Sequence, residues 1–109
     1  MFSAAERVKG IIETDPYHPG LEVEAMSMAQ LSNKNSGIAW NDRTFYMEGC
    51  KSPVISVGPA SYHSLPCVIV HIKDQEGEAI LVIKNQESDD SVFRILMRND
   101  LAYQTGGCA

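Results

Sequence analysis

The stretch CVIVHIKDQEGEAILVIKNQESDDSVFRILM, residues 67–97, contains three short apolar segments joined by polar connectors. The segments are CVIVHIK (67–73), AILVIKN (79–85) and SVFRILM (91–97), and they begin at a regular spacing of twelve residues. Short segments rich in β-branched residues, evenly spaced between turn residues, are typical of an antiparallel meander. We therefore predict three consecutive antiparallel strands across this stretch.

The third segment has a second interpretation, because Ser88 and the acidic residues after it could cap a helix. Gly106-Gly107 could end such a helix, but on a helical wheel Asn99 and Asp100 would sit inside its apolar face. A strand instead separates the side chains cleanly, with one apolar face made of Phe93, Ile95 and Met97. We therefore predict a strand for residues 91–97.

Residues 3–14, SAAERVKGIIET, predict a helix. Ser3 and Glu6 have the spacing of a capping box, in which each side chain bonds an amide at the start of the helix. The apolar residues of this segment share one face: Val8, Ile11 and Ile12. This face predicts a helix that packs against the rest of the domain.

The segment from 21 to 31 is ambiguous, because LEVEA alternates like a strand whereas EAMSMAQL contains strong helix formers. We favour a strand that runs into a loop at SNKNSG, residues 32–37. Beyond it, TFYMEG (44–49) and PVISV (53–57) add further β segments between turn formers.

These segments predict one domain, residues 1–109, of the α+β class. The N-terminal helix packs on a curved, mainly antiparallel sheet of five or six strands, with a half-barrel as one form of that curvature.

Charge argues against nucleic acid as a partner. The 109 residues have a formal net charge of −5, and the nine Lys and Arg residues are scattered along the chain. A phosphate backbone requires a concentrated basic surface, which the sequence does not contain.

The sequence also predicts a cytoplasmic protein that does not cross a membrane. Its longest apolar runs are far shorter than the ~20 residues that span a bilayer. The N-terminal MFSAAERVKG reaches charged residues before any apolar stretch, unlike a signal peptide. The three cysteines, Cys50, Cys67 and Cys108, are an odd number without a repeated spacing, which indicates thiols in a reducing compartment.

His63, Cys67 and His71 resemble a set of metal ligands at first sight, since they recur every four residues. Pro66 and the β-branched run after it favour a strand, on which four residues span roughly 13 Å. Ligands of one zinc ion each lie about 2.0–2.3 Å from the metal, so these three side chains cannot share one. We predict no metal and no cofactor.

The two faces of residues 67–73 differ in character. Val68, Val70 and Ile72 predict a core face, whereas Ile69 and His71 lie on a mixed face. Ile69 and His71 are therefore candidates for contact with a partner on an open sheet, or for lining a pocket in a half-closed one.

Two further segments contain candidate binding residues. Tyr62 and His63 fall in GPASYHSLP, residues 58–66, which we predict to be a rigid loop; loops often carry function. Trp40 begins WNDRTFY, residues 40–46, and either anchors the core or supplies a recognition patch.

The function that these patterns favour is a non-catalytic binding or accessory module. We predict that it is a homodimer that contacts a protein or a small ligand through a sheet face or rim loops. One alternative is a small enzyme with a pocket in the curved sheet, with His71 or His63 as the acid/base group and Asp42 and Tyr62 as helpers. Another is an acidic inhibitor or immunity-type protein that blocks a basic partner. No catalytic residue is predicted, because no nucleophile motif occurs.

Overall fold

The computed structural model describes residues 3–31, 35–40, 45–46, 52–75 and 77–102. The helices in this part are α1 (Ala4–Glu13), α2 (Met28–Leu31) and α3 (Asp89–Arg98). The strands are β1 (Val23–Ser27), β2 (Ile38–Trp40), β3 (Phe45–Tyr46), β4 (Val54–Tyr62), β5 (Leu65–Asp74) and β6 (Gly77–Ile83).

The strands form one antiparallel sheet in the order β1-β6-β5-β4-β2, and β3 also pairs with β4. The sheet curls into a half-barrel next to the N-terminal helix, which confirms the predicted α+β class. β4, β5 and β6 follow one another as hairpins, so the predicted antiparallel pairing of residues 67–73 with 79–85 is also confirmed.

The predicted N-terminal helix is confirmed as α1. The Ser3 hydroxyl accepts a hydrogen bond from the Glu6 amide at 3.2 Å, as the capping spacing indicates. The Asp74 carboxylate at the end of β5 accepts a second bond, from the Ala4 amide at 3.0 Å. These acceptors satisfy two of the amides that the first turn of a helix leaves unpaired, and the second ties α1 to the sheet.

The sheet has a helix face, which packs against α1 and α3, and an opposite face. The helix face forms the main core, with Val57, Val68, Val70, Ile72 and Leu81 among its buried strand residues. The opposite face holds a smaller buried cluster, which we call the opposite-face cluster: Met26, Cys67, Ile69, Ile80 and Val82. Both faces are therefore apolar within the chain, which explains why β5 and β6 are dense in aliphatic residues.

The strand predicted for residues 91–97 is wrong, because these residues form α3. Ser88 is the N-cap, and its hydroxyl accepts a hydrogen bond from the Ser91 amide at 3.0 Å. The helix ends before Asn99 and Asp100 would enter its apolar face. The Asp100 amide donates to the Met97 carbonyl at 3.1 Å and the Leu101 amide to the Leu96 carbonyl at 2.8 Å. This pair of bonds is a Schellman motif, which satisfies carbonyl groups at the end of the helix.

Asp100 occupies the left-handed position of that motif, with a φ of 58°. Glycine adopts this conformation without a steric cost, whereas an aspartate does not. We expect Asp100→Gly to raise the free energy of unfolding by about 0.5–1 kcal/mol in urea denaturation. Asn99→Gly is the matched control: Asn99 has a φ of −107°, and its side-chain amide donates to the Ile95 carbonyl. The control is expected to lower stability; a loss at both positions would contradict the assigned helix end.

The ambiguous residues 21–31 contain both kinds of structure, a strand at Val23–Ser27 and one turn of helix at Met28–Leu31. Ser27 and Gln30 form a reciprocal capping box between them. The Gln30 amide donates to the Ser27 hydroxyl at 3.2 Å, and the Ser27 amide donates to the Gln30 side-chain oxygen at 2.8 Å. This pair of bonds ends β1 and starts α2.

The rigid loop predicted for residues 58–66 is wrong, because all but two of these residues belong to β4 and β5. His63 and Ser64 alone make the turn, and both have positive φ, as a two-residue type I′ hairpin requires. Pro59 falls between the parts of β4 that pair with β2 and β3, and Pro66 precedes the residue at which β5 begins to pair with β6. Each proline therefore lies where its strand has no paired neighbour on one side, so the missing backbone N–H breaks no interstrand hydrogen bond on that side.

Candidate functional site

A hydrogen bond crosses the opposite face of the sheet from β4 to β1. The Tyr62 hydroxyl donates to the Glu24 carboxylate at 2.8 Å. Strands β5 and β6 lie between these two strands, and three interstrand spacings amount to about 14 Å. The two side chains therefore extend across the sheet, and the Tyr62 ring packs against the opposite-face cluster.

An open cleft of about 330 Å³ lies beside this hydrogen bond. One wall comes from β1 and α2, and the other from the β4–β5 hairpin and the segment before β2. The lining residues are Glu24, Ala25, Met26, Gln30, Asn35, Ser36, Tyr62 and His63. The cleft thus combines a carboxylate, a phenol, an imidazole and amide groups with the edge of an apolar cluster.

The tight hairpin turn fixes His63 at the mouth of the cleft. The His63 amide donates to the Gly37 carbonyl at 2.7 Å, and the imidazole packs on the backbone of Gly37. A Cβ at Gly37 would lie 2.4 Å from Cε1 of His63, and Gly37 itself has a φ of 78°. Only glycine accommodates both the close approach and this φ. The rings of Tyr62 and His63 are tilted by 44° with centroids 4.4 Å apart.

The electrostatics of the cleft centre on Glu24. Its carboxylate accepts a hydrogen bond from the Tyr62 hydroxyl, and this bond, together with burial and the negative charge of Glu24, raises the pKa of the Tyr62 hydroxyl. The Lys84 ammonium lies 3.6 Å from the other carboxylate oxygen. The phenol is therefore held neutral as a donor next to a charged acceptor.

The remaining predicted site residues lie away from the cleft or are buried. Ile69 is only 2% exposed, so it has no free surface with which to contact a partner directly. His71 lies on the same face further along β5, and its Nε2 is 3.2 Å from the Glu78 carboxylate. Trp40 pairs with Ala60 in the sheet register. Asp42 lies outside the described residues.

His63 lies in the hairpin turn, whereas Cys67 and His71 lie on β5, so the regular spacing of these residues is that of a strand, as the sequence indicates. Cys67 is in the opposite-face cluster and His71 is beside Glu78. Burial raises the pKa of the Cys67 thiol, which keeps it in the neutral form that is a poor nucleophile and metal ligand. Within the described residues, no three His, Cys, Asp or Glu side chains are grouped closely enough to hold a metal ion.

A second polar cluster joins the end of α1 to α3 on the helix side of the molecule. The buried Asp15 carboxylate accepts hydrogen bonds from Arg98 and from Nδ1 of His18, both at 2.9 Å. The Arg98 guanidinium also lies 4.8 Å from the centre of the Tyr17 ring. Burial raises the pKa of the Asp15 carboxyl, but the hydrogen bonds and charges of Arg98 and His18 outweigh it, and the net pKa is lowered.

Sequence reasoning found Tyr62 and His63 but missed Glu24 and Gln30. The spacing of Ser27 and Gln30 is itself a capping-box signal and could have located α2. Nothing in the local sequence links Glu24 to Tyr62, because they are 38 residues apart and meet only through the order of the strands.

The fold defines this chain as an α+β domain with a half-barrel sheet and a polar cleft on the face opposite its two longer helices. No protein-family model, curated protein or solved structure matches it. None of the helices in the described ranges has the length and apolar character needed to span a bilayer.

Proposed function

We propose that this chain is a non-catalytic binding module and that its ligand site is the cleft beside the Tyr62–Glu24 hydrogen bond. The observation that carries this proposal is the convergence of Glu24 with Tyr62 and His63 on one opening, from two parts of the chain that are 38 residues apart. A volume of about 330 Å³ is at the lower end of the range of small-molecule sites, which runs from roughly 300 to 1,000 Å³.

The composition of the cleft supports recognition of a small polar group. Glu24 is an acceptor, His63 can donate or accept, and the side chain of Gln30 places an amide at the wall. Met26 and the Tyr62 ring supply apolar surface next to them. A few convergent polar groups beside apolar surface are what orient a ligand in such sites.

The conformation of His63 gives independent support. Type I′ turns strongly favour Asn-Gly, because both central residues need positive φ. This chain has His63 with a φ of 49° and Ser64 with a φ of 68° in their place. A local conformational cost at a residue that lines a cleft is a reason to propose a function for it.

The test is a thermal-shift screen of small polar metabolites, followed by calorimetry on each hit. We expect Tyr62→Phe to weaken a genuine hit five- to tenfold, since it removes one hydrogen-bonding group worth about 1 kcal/mol. Tyr17→Phe is the matched control, because Tyr17 is 74% exposed and lies on the helix side, and it is expected to change affinity less than twofold. No hit, or hits that Tyr62→Phe leaves unchanged, would remove the cleft as a ligand site.

The enzyme alternative now rests on His63, because His71 does not line the cleft. The Tyr62 hydroxyl already donates its hydrogen bond to Glu24, and Tyr62 contacts His63 through their rings. This arrangement favours holding a ligand over transferring a proton. The homodimer and the cytoplasmic location stay predictions from the sequence.

A further inference from the structure

β1 is the terminal strand of the sheet, and one side of its backbone faces away from β6. The Lys84 amide donates to the Glu22 carbonyl at 2.9 Å just before β1 begins. Because hydrogen-bonded positions alternate along an antiparallel pair, Glu24 and Met26 also direct their backbone groups toward β6. Val23, Ala25 and Ser27 must then direct theirs outward.

The Ser27 amide supports this assignment, because it bonds the Gln30 side chain instead of another strand. Among the described residues, the outward edge is thus capped at Ser27 and open at Ala25, which is exposed. Ala25 pairs with Leu81, whose side chain is in the helix-face core, so the Ala25 methyl group points to that face. Its backbone is therefore the part of Ala25 that borders the cleft.

The edge of β1 has few of the features by which proteins block pairing with another chain. Its sequence, Val-Glu-Ala-Met-Ser, contains no proline and no lysine, and its five residues pair with β6 without a bulge. Its short length and the charge of Glu24 are the protections it has. An open N–H and C=O at an exposed edge can receive an added strand.

We infer that the edge of β1 at Ala25 binds an extended peptide, and that the cleft receives a basic side chain of that peptide opposite Glu24. This inference rests on the proposed function, since it names the class of ligand that the cleft takes. Ala25 would supply one backbone donor and one acceptor. Glu24 and the peptide residue opposite it would form a non-hydrogen-bonded pair. In such a pair the side chains approach closely, with Cα atoms about 4.5 Å apart.

Charge favours a basic peptide as the occupant. Glu22 and Glu24 flank the open edge, and the chain has a formal net charge of −5. The Lys84 ammonium lies 3.6 Å from the Glu24 carboxylate, and both side chains are partly exposed. A second copy of this chain fits less well. Pairing β1 with β1 about Ala25 would place the two Glu24 side chains as diagonal neighbours, roughly 7–8 Å apart.

The test uses end-blocked pentapeptides Thr-Val-Xaa-Val-Thr, with every common amino acid in turn at the centre, titrated into the full chain and followed by NMR. We expect the Lys and Arg members to bind best, at least fivefold more tightly than the Glu member, and to shift the Ala25 amide saturably. Glu24→Gln should bring the Lys and Glu members within about twofold of each other. If no member shifts the Ala25 amide, the inference is overturned.

Two changes test the backbone pairing. Ala25→Pro removes the outward N–H at a position where an edge strand tolerates proline, and should weaken the Lys peptide at least tenfold; Ala25→Val keeps the N–H and should change affinity less than about threefold. N-methylation of the peptide at the two valines should abolish binding to the unmodified chain, which provides a test that does not depend on the folding of the proline variant. Binding that survives N-methylation contradicts strand addition.

The outcomes also separate this inference from the proposed function. Loss of peptide binding with a retained, Tyr62-dependent small-molecule hit overturns only the peptide. Sedimentation equilibrium tests the competing occupant, which is a second copy of this chain. A dimer that Ala25→Pro dissociates would assign the edge of β1 to that second copy and would overturn the inference of peptide binding as well.

Discussion

Replacing Ile69 by alanine is expected to lower the free energy of unfolding by about 3 kcal/mol. Ile69 is 2% exposed and packs in the opposite-face cluster with Ile80 and Val82. Truncation of a buried Ile to Ala costs about 2–5 kcal/mol, because transfer energy is lost and a cavity remains. The expected value is in the lower half of that range, because this cluster is smaller than the helix-face core. The partly buried residues that pack on it, such as Met28 and Leu31, can relax into part of the cavity.

Leu65→Ala is the matched control, because Leu65 lies on the same strand and the same face but is 63% exposed. Its loss is expected to be below about 0.5 kcal/mol, as for most surface substitutions. Urea denaturation of both variants makes the comparison. A loss below about 1 kcal/mol for Ile69→Ala would mean that Ile69 is not packed inside the isolated chain, and would restore it as a residue for contact with a partner.

Asp15→Asn is expected to lower the free energy of unfolding by about 2–3 kcal/mol near neutral pH. The Asp15 side chain is 4% exposed and accepts hydrogen bonds from both Arg98 and His18. Breaking a fully buried ion pair costs about 3–5 kcal/mol. The expected loss is smaller here because the Arg98 side chain is partly exposed and can recover water when its partner is neutral.

The pH dependence follows from the lowered pKa of Asp15. A carboxyl whose pKa is lower in the folded chain contributes stability above its unfolded pKa, about 3.9, and loses it as the pH falls through the folded value. The difference in stability between the unmodified chain and Asp15→Asn should therefore shrink as the pH falls from about 5 to below about 4. A difference that grows in acid would contradict the assigned role of Asp15.

Asp90→Asn provides the comparison for Asp15. Asp90 pairs with Arg94 at 3.0 Å, but both side chains are more than half exposed. An exposed pair in the first turn of a helix contributes less than about 1 kcal/mol, including its interaction with the helix dipole. Comparison of two Asp–Arg pairs of nearly the same length thus tests the combined effect of burial and of the additional His18 bond of Asp15.

The sequence predicts the sheet better than it predicts the last helix, for a physical reason. Residues 67–73 have one apolar face and one mixed face, and residues 79–83 are apolar throughout. This density of aliphatic side chains is typical of strands in the middle of a sheet. Residues 91–97 support either a strand or a helix, and the polar Asn99 and Asp100 favour the strand because they would fall on the apolar face of a helix. The left-handed conformation of Asp100 ends α3 before Asn99 and Asp100 could join its apolar face. A scale of helix propensities does not predict this kind of helix end.

The candidate site is less accessible to sequence reasoning than the fold. Tyr62 and His63 were found because histidine and tyrosine stand beside prolines in a segment with turn signals, although that segment is mostly strand. Glu24 was not found, because its contact with Tyr62 depends on β1 pairing with β6 and not with its neighbour in sequence. Strand order is set by packing of the whole sheet, and no local pattern encodes it.

The placement of β1 has a consequence for the order in which the chain folds. Strands β4, β5 and β6 are joined by short turns, so their pairing closes small loops and can form early. β1 joins them only when Val23 meets Ile83, sixty residues later in the chain, at a much larger cost in loop-closure entropy. We therefore expect β1 to pair with β6 after the β4–β5–β6 hairpins have formed. Amide hydrogens of β1 should then exchange through local opening below the energy of global unfolding, so that an occupant of the cleft would also stabilise the docking of β1.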